Sequence, residues 1–194
     1  MKRYLLLVMI SLICLITNAQ ENIQNDILRS IVERVHYLND YISFIADKSN
    51  SIETRLYYKK EVLNMFIGKG YPYEEDGIHK DGVKIMISSI NNTNTHTKLV
   101  RQYFNGLVNL TYGEVLIECS QSTDMKVDDI QKIDDEHFVC FCYYYQAFRG
   151  QNNGKTIYKD ITRKKIKCYV ERQETEDGFE YSILFGDLYA VETK

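Results

Sequence analysis

The sequence predicts an α+β fold, with N-terminal helices packed on a strongly curved antiparallel β-sheet. Three observations carry that expectation. Apolar residues recur at helical spacing through the first third of the chain. From Gly113 onward the period changes to the alternation of strands. Turn signals then separate long strand-like runs, the clearest being Asn153-Gly154. Helices followed by an antiparallel meander bury their apolar stripes against one sheet face.

The chain opens with a positive Lys2-Arg3 and an uncharged apolar run from Leu5 to Ile16. That run has the length of a signal core and falls short of the ~20 residues a membrane-spanning helix needs. Thr17-Asn18-Ala19 supplies small residues for cleavage between Ala19 and Gln20. Residues 1–19 are therefore expected to be a signal peptide and 20–194 one domain, with no membrane span after cleavage. The destination is the periplasm or the exterior. Leu12 and Ile13 before Cys14 do not fit a lipidation site.

Within the domain, Ile27, Ile31, Val35, Leu38, Ile42 and Ile45 predict one long amphipathic helix over residues 22–47. Asn50 with Glu53 three positions on predicts the cap of a second helix running to about Ile67, with Leu56, Leu63, Phe66 and Ile67 inward. "YPYEEDGIHKDG" reads as a loop from its Pro, Gly and Asp content, and Val83–Ile90 as a strand that "NNTNTHT" breaks. Leu99, Tyr103, Leu107 and Leu110 predict a third helix. "EVLIECS" places Val115, Ile117 and Cys119 on one side of a strand.

The segment "FVCFCYYYQAFRG", residues 138–150, is the first arm of a long hairpin closed by "QNNGK". On the return arm Tyr158, Asp160, Thr162, Lys164, Ile166, Cys168 and Val170 share one face. Arg163, Lys165 and Lys167 share the other, which reads as a solvated outer face. On the last strand, Tyr181, Phe185, Asp187 and Tyr189 are in phase.

Charge narrows function. Loss of Lys2 and Arg3 takes the basic count from 24 to 22 against 27 acidic residues, and the net charge from −3 to −5. A mildly acidic domain is not built for nucleic acid. Cys119, Cys140, Cys142 and Cys168 remain after cleavage, and their disulfide state is open. Cys140 and Cys142 lie on one face of one strand, a poor geometry for bridging each other. Neither they nor His36, His79, His96 and His137, placed on a helix, two loops and a strand entrance, have metal-ligand spacing. No phosphate loop or nucleophile elbow occurs, so neither a cofactor nor a catalytic residue is assigned.

The paired N-terminal helices, the short helix "KLVRQYFNGLVNL" and the hairpins "CFCYYYQAFRGQNNGKTIYKDITRKKIKCYV" and "FEYSILFGDLYAVET" resemble the nuclear-transport-factor-2-like superfamily. This is the cystatin-like cone fold shared with ketosteroid isomerases and polyketide cyclases. The run "YYQAFRG…YKDITRKKI…FGDLYA" is similar to secreted domains of gut Bacteroidetes, which implies a Gram-negative envelope or extracellular home. The fold serves enzymes and non-enzymatic binders alike. The leading expectation is a non-catalytic exported domain that binds a partner protein or a small ligand through its curved sheet or cone pocket. Tyr143, Tyr145, Tyr158, Asp160 and Asp187 are the candidate ligand-binding residues. The alternative is an acid–base enzyme of ketosteroid isomerase or cyclase type, with Asp160 or Asp187 as base and tyrosines as oxyanion donors. A homodimer through the open sheet face is a third option.

Overall fold

A computed structural model describes the backbone of residues 2–176 and 178–194, and the side chains of 23–91, 95–128, 130–176 and 178–194. The expected signal peptide, 1–19, and its cut after Ala19 lie outside the residues whose side chains are described. Helix α1 (Lys2–Ala46) carries the apolar stripe read from the sequence, and all six of its residues from Ile27 to Ile45 are buried. Among the described residues no helix is long and apolar enough to cross a membrane.

Helix α2 (Ile52–Leu63) begins one residue later than the cap signal implied. Ser51, not Asn50, is the cap, and its hydroxyl accepts from the Thr54 amide at 3.2 Å. The helix also ends earlier than expected, and Leu56 faces solvent, while Arg55 and Val62 turn inward. Arg55 donates from Nε to the Ile45 carbonyl at 2.8 Å and from Nη2 to the Val108 carbonyl at 2.5 Å. It thereby closes the C-terminal ends of α1 and of α3 (Val100–Val108) at once.

The segment expected to be a loop is a small hairpin, β1 (Tyr73–Glu75) and β2 (Ile78–Lys80). Asp76 and Gly77 both take positive φ, the geometry of a type I′ turn. Likewise "NNTNTHT" does not end the strand but starts its partner, so β3 (Lys84–Ser89) pairs with β4 (Asn92–Leu99). An edge strand paired on one side tolerates such polar side chains. His79 and His96 accordingly lie on strands rather than in loops.

The main sheet has seven strands. Strands β5 (Glu114–Cys119), β6 (Lys126–Lys132), β7 (His137–Asn152), β8 (Lys155–Thr175) and β9 (Gly178–Thr193) join β3 and β4 in the order β4-β3-β9-β8-β7-β5. β6 pairs the opposite end of β7 from β5. All pairings are antiparallel except β3 with β9, so the sheet is mixed where a wholly antiparallel one was expected. Asn153 and Gly154 make the β7–β8 turn with positive φ, as read from the sequence.

The three helices and the inner sheet face enclose one core. From α1 come Ile31, Val35 and Leu38; from the sheet come Cys140, Cys142, Tyr144, Ile166, Cys168 and Phe185. Phe66 links the two layers, with ring centroids 6.1 Å from Phe104 and 5.8 Å from Phe185. Cys119, Cys140, Cys142 and Cys168 are free thiols, and burial pushes Cys142 up to about 12. Tyr144 is 1% exposed, and its hydroxyl has no hydrogen-bond partner among the described residues. Tyr144→Phe is therefore expected to hold or raise stability, because it removes an unmet polar group. A urea midpoint lowered by more than about 1 kcal/mol equivalent would contradict that.

Candidate functional site

The inner face of β7 and β8 changes character along its length. Towards one end it is apolar, through Cys140, Cys142, Ile166, Cys168 and Val170. Towards the β7–β8 turn it carries Gln146, Asp160, Thr162 and Lys164, all buried. There the core stops and a cavity of about 480 Å³ opens between the sheet and α3. Ile85, Ile87, Leu107, Leu110 and Phe148 make its apolar wall, and Tyr103 and Tyr112 contribute rings.

Asp160 is 8% exposed, and its carboxylate accepts a hydrogen bond from the Tyr158 hydroxyl. Ser89 Oγ lies 2.9 Å from the same hydroxyl. A phenol has one proton, so with that proton on Asp160 the Ser89 hydroxyl is the donor to Tyr158. Burial raises the Asp160 pKa, against the opposing pull of Tyr158 and of the Lys164 charge. Tyr158 is also raised, first by burial and then by its bond to Asp160. Tyr103 is pushed up to about 12 by burial, with a contribution from Asp160.

Lys164 is 9% exposed and lines the same cavity. No carboxylate lies within ion-pair distance of its Nζ among the described residues, and no hydrogen bond holds it. Burial lowers it to about 8, with Asp160 and Cys119 pulling the other way. Cys119 itself is pushed up to about 11 by burial, which keeps it a thiol. Gln146 donates to Asn39 of α1, and Asn39 in turn donates to the Val35 carbonyl at 2.8 Å, so the cavity floor is anchored to that helix.

The aromatic corner depends on Gly150. The rings of Tyr112, Phe148 and Tyr158 lie 5.8 to 6.5 Å apart. A Cβ at Gly150 would come within 2.6 Å of the Tyr112 ring, so only glycine lets Tyr112 lie there.

Of the five residues singled out in the sequence, the structure brings Tyr158 and Asp160 together in the cavity. Tyr143, Tyr145 and Asp187 lie on the other side of the sheet. Tyr143 stacks beneath Arg163, 5.2 Å from its ring centroid, and Tyr145 is 45% exposed. Asp187 accepts from the Lys84 amide at 2.8 Å. The expected common phase of Tyr181, Phe185, Asp187 and Tyr189 fails at a β-bulge. Cys168 pairs with Phe185 but Ile166 pairs with Leu188, so two residues of β9, Gly186 and Asp187, face one of β8. The slip leaves Phe185 buried inside and turns Asp187 outward.

The outer face is less solvated than its basic residues implied. Lys165 Nζ sits 3.9 Å over the Phe141 ring, and Lys167 donates to Glu75 of the β1–β2 hairpin at 2.6 Å. Tyr169 donates to the same Glu75 carboxylate. Tyr143 and Tyr169 of this face thus pack under cations, and Tyr169 also bonds to the hairpin.

Sequence reading missed Lys164, Gln146, Tyr103 and Tyr112 as cavity residues. Lys164 had a visible signal, since it shares its phase with Ile166, Cys168 and Val170. Tyr103 and Tyr112 had none, because only the docking of α3 and the contact at Gly150 bring them in.

Fold and site together define an α+β domain with a ligand-sized cavity lined by buried ionisable groups. No family model matches the chain, and no curated protein matches it. Solved structures similar to it include a candidate scytalone dehydratase from Novosphingobium aromaticivorans, at 8% identity and a TM-score of 0.42, covering 92% of this chain and 90% of that one. The Kfla4162 protein from Kribbella flavida is similar at 12% identity and a TM-score of 0.39, covering 88% and 94%. A type 2 hexachlorocyclohexane dehydrochlorinase, LinA, is similar at 10% identity and a TM-score of 0.38, covering 88% and 91%.

Proposed function

We propose that this protein binds a small, mostly apolar molecule with one polar end in the cavity beneath α3. The observation that carries the reading is the 480 Å³ space itself, inside the ~300–1,000 Å³ range of small-molecule sites. The apolar body would lie along Ile85, Ile87, Leu107 and Phe148, with the polar end towards Asp160 and Lys164. A small ligand is favoured over a protein partner, because the buried polar groups line the cavity and not the outer face. The leader at residues 1–19 makes the periplasm or the exterior the proposed location.

Gly106 supplies the test. It lines the cavity, and a Cβ added there meets no atom within 4 Å. Gly106→Phe is expected to fill the space while keeping the helix, since glycine is the poorer helix former of the two by roughly a few tenths of a kcal/mol. Ligand binding by native mass spectrometry should fall at least tenfold with the melting temperature unchanged or higher. Equal binding by the variant would refute the cavity as the site.

A second reading, an acid–base enzyme, is favoured by the inward carboxyl of Asp160 with its Tyr158 partner. A carboxyl of raised pKa in an apolar cavity is the form a proton-transfer site takes. Its measure is deuterium uptake at the carbon next to the carbonyl of a bound ketone such as 2-acetonaphthone. Uptake that Asp160→Asn abolishes supports catalysis; uptake at the solution rate in the wild type removes it. A homodimer through the outer sheet face would double the mass seen by light scattering.

A further inference from the structure

We propose that Lys164 forms a reversible imine with aldehyde or ketone ligands in the cavity. The inference rests on the small-ligand reading above and names the functional group that the site selects.

Its basis is placement. Lys164 projects from the inner face of β8, is nine-tenths buried, and lines the cavity. Its Nζ has neither a carboxylate within ion-pair distance nor a hydrogen bond among the described residues. Arg55, the other cation buried among the described residues, and the half-buried Lys167 are held differently. Arg55 is fixed by two helix-end carbonyls, and Lys167 by Glu75. An amine buried without a partner is poorly held as ammonium. The lowered pKa, about 8, agrees, since it leaves roughly a tenth of the side chain as free amine at pH 7, far more than an ordinary lysine has. Free amine is the nucleophile in imine formation.

The step balances without any outside oxidant or reductant. The Nζ lone pair forms a C–N bond to the carbonyl carbon, and the C=O π pair moves to oxygen. That oxygen takes a proton as nitrogen gives one up, which yields a carbinolamine. Its hydroxyl gains a second proton and leaves as water while the C=N bond forms. Asp160, the one carboxyl among the lining residues, is the group assigned to take the proton that the Lys164 ammonium sheds on becoming free amine and to hand it to that hydroxyl. The apolar wall of Ile85, Leu107 and Phe148 retains the body of the ligand and keeps bulk water from the imine.

The test treats the full-length protein with 2-naphthaldehyde and sodium cyanoborohydride at pH 7, then maps the reduced adduct by peptide mass. In parallel, 2-methylnaphthalene, which cannot form an imine, is tested for a rise in melting temperature. The expected result is adduct on the Lys164 peptide at least tenfold faster than on exposed lysines such as Lys60 and Lys155, and none at that site in Lys164→Arg. If 2-methylnaphthalene binds but Lys164 labels no faster than exposed lysines, the imine is refuted and the binding reading stands. If neither occurs, both fall. Because the mapping is done on the wild-type chain, a variant that fails to fold does not blunt the result.

Discussion

Replacing Lys164 with methionine is expected to make the protein more stable at neutral pH. The lysine is held as a cation in the cavity at a cost, since burial lowers its pKa to about 8 from the ordinary 10.5. Below pH 8 it is charged both folded and unfolded, so the whole cost is present. Between about 8 and 10.5 the unfolded chain binds the extra proton, and wild-type stability gains as pH rises. Above that window the cost is gone. At ~1.4 kcal/mol per pKa unit, the gain of Lys164→Met at pH 6–7 is on the order of 3 kcal/mol. It should shrink towards zero above pH 10. Urea melts at pH 6.5 and pH 10 check this, and a variant less stable than wild type at pH 6.5 would contradict it.

Replacing the other deeply buried cation is expected to do the opposite. Arg55→Met keeps most of the stem volume but strips charged donors from the carbonyls of Ile45 and Val108. Those carbonyls lie at the ends of α1 and α3, where Asn50 and Asn109 serve only the neighbouring carbonyls of Phe44 and Asn105. Hydrogen bonds from a charged group contribute about 1.5–3 kcal/mol each. The expected loss is therefore about 3–5 kcal/mol, offset in part by release of the desolvated charge. Arg55→Lys should recover only a minority of it, because an ammonium lacks the guanidinium fork that spans two acceptors. Thermal melts decide the point. The damage should reach the cavity too, since α3 is its roof.

The contrast between these two residues shows what a single sequence can and cannot convey. Lys164 stood in phase with Ile166, Cys168 and Val170, so its inward direction was readable from alternation alone. What it faces was not, because the roof comes from residues 100–110, more than fifty positions away. Arg55 was hidden for a related reason. Its acceptors are the ends of two other helices, and helix ends are the least certain feature of a sequence. The long elements were legible because their signals are redundant. Six apolar positions define α1, and Asn153-Gly154 fixes the register of β7 with β8. Short or polar elements carried too few residues to set a period, which is why β1, β2 and β4 read as loops. The bulge at Gly186–Asp187 is the instructive error. Counting by twos is sound until one extra residue enters the strand, and every side chain beyond it changes face. That single slip moved Asp187 and Tyr189 to the outside and left Asp160 as the inward carboxyl.

Methyl NMR spectra of the protein titrated with 2-methylnaphthalene test the central claim most directly. Ile85, Ile87, Leu107 and Leu110 line the cavity, while Ile157, Ile161 and Leu116 are exposed outside it. Saturable shifts are expected at the first set and not at the second. Shifts confined to Ile157, Ile161 and Leu116 would place the ligand on the outer face and contradict the cavity as the site.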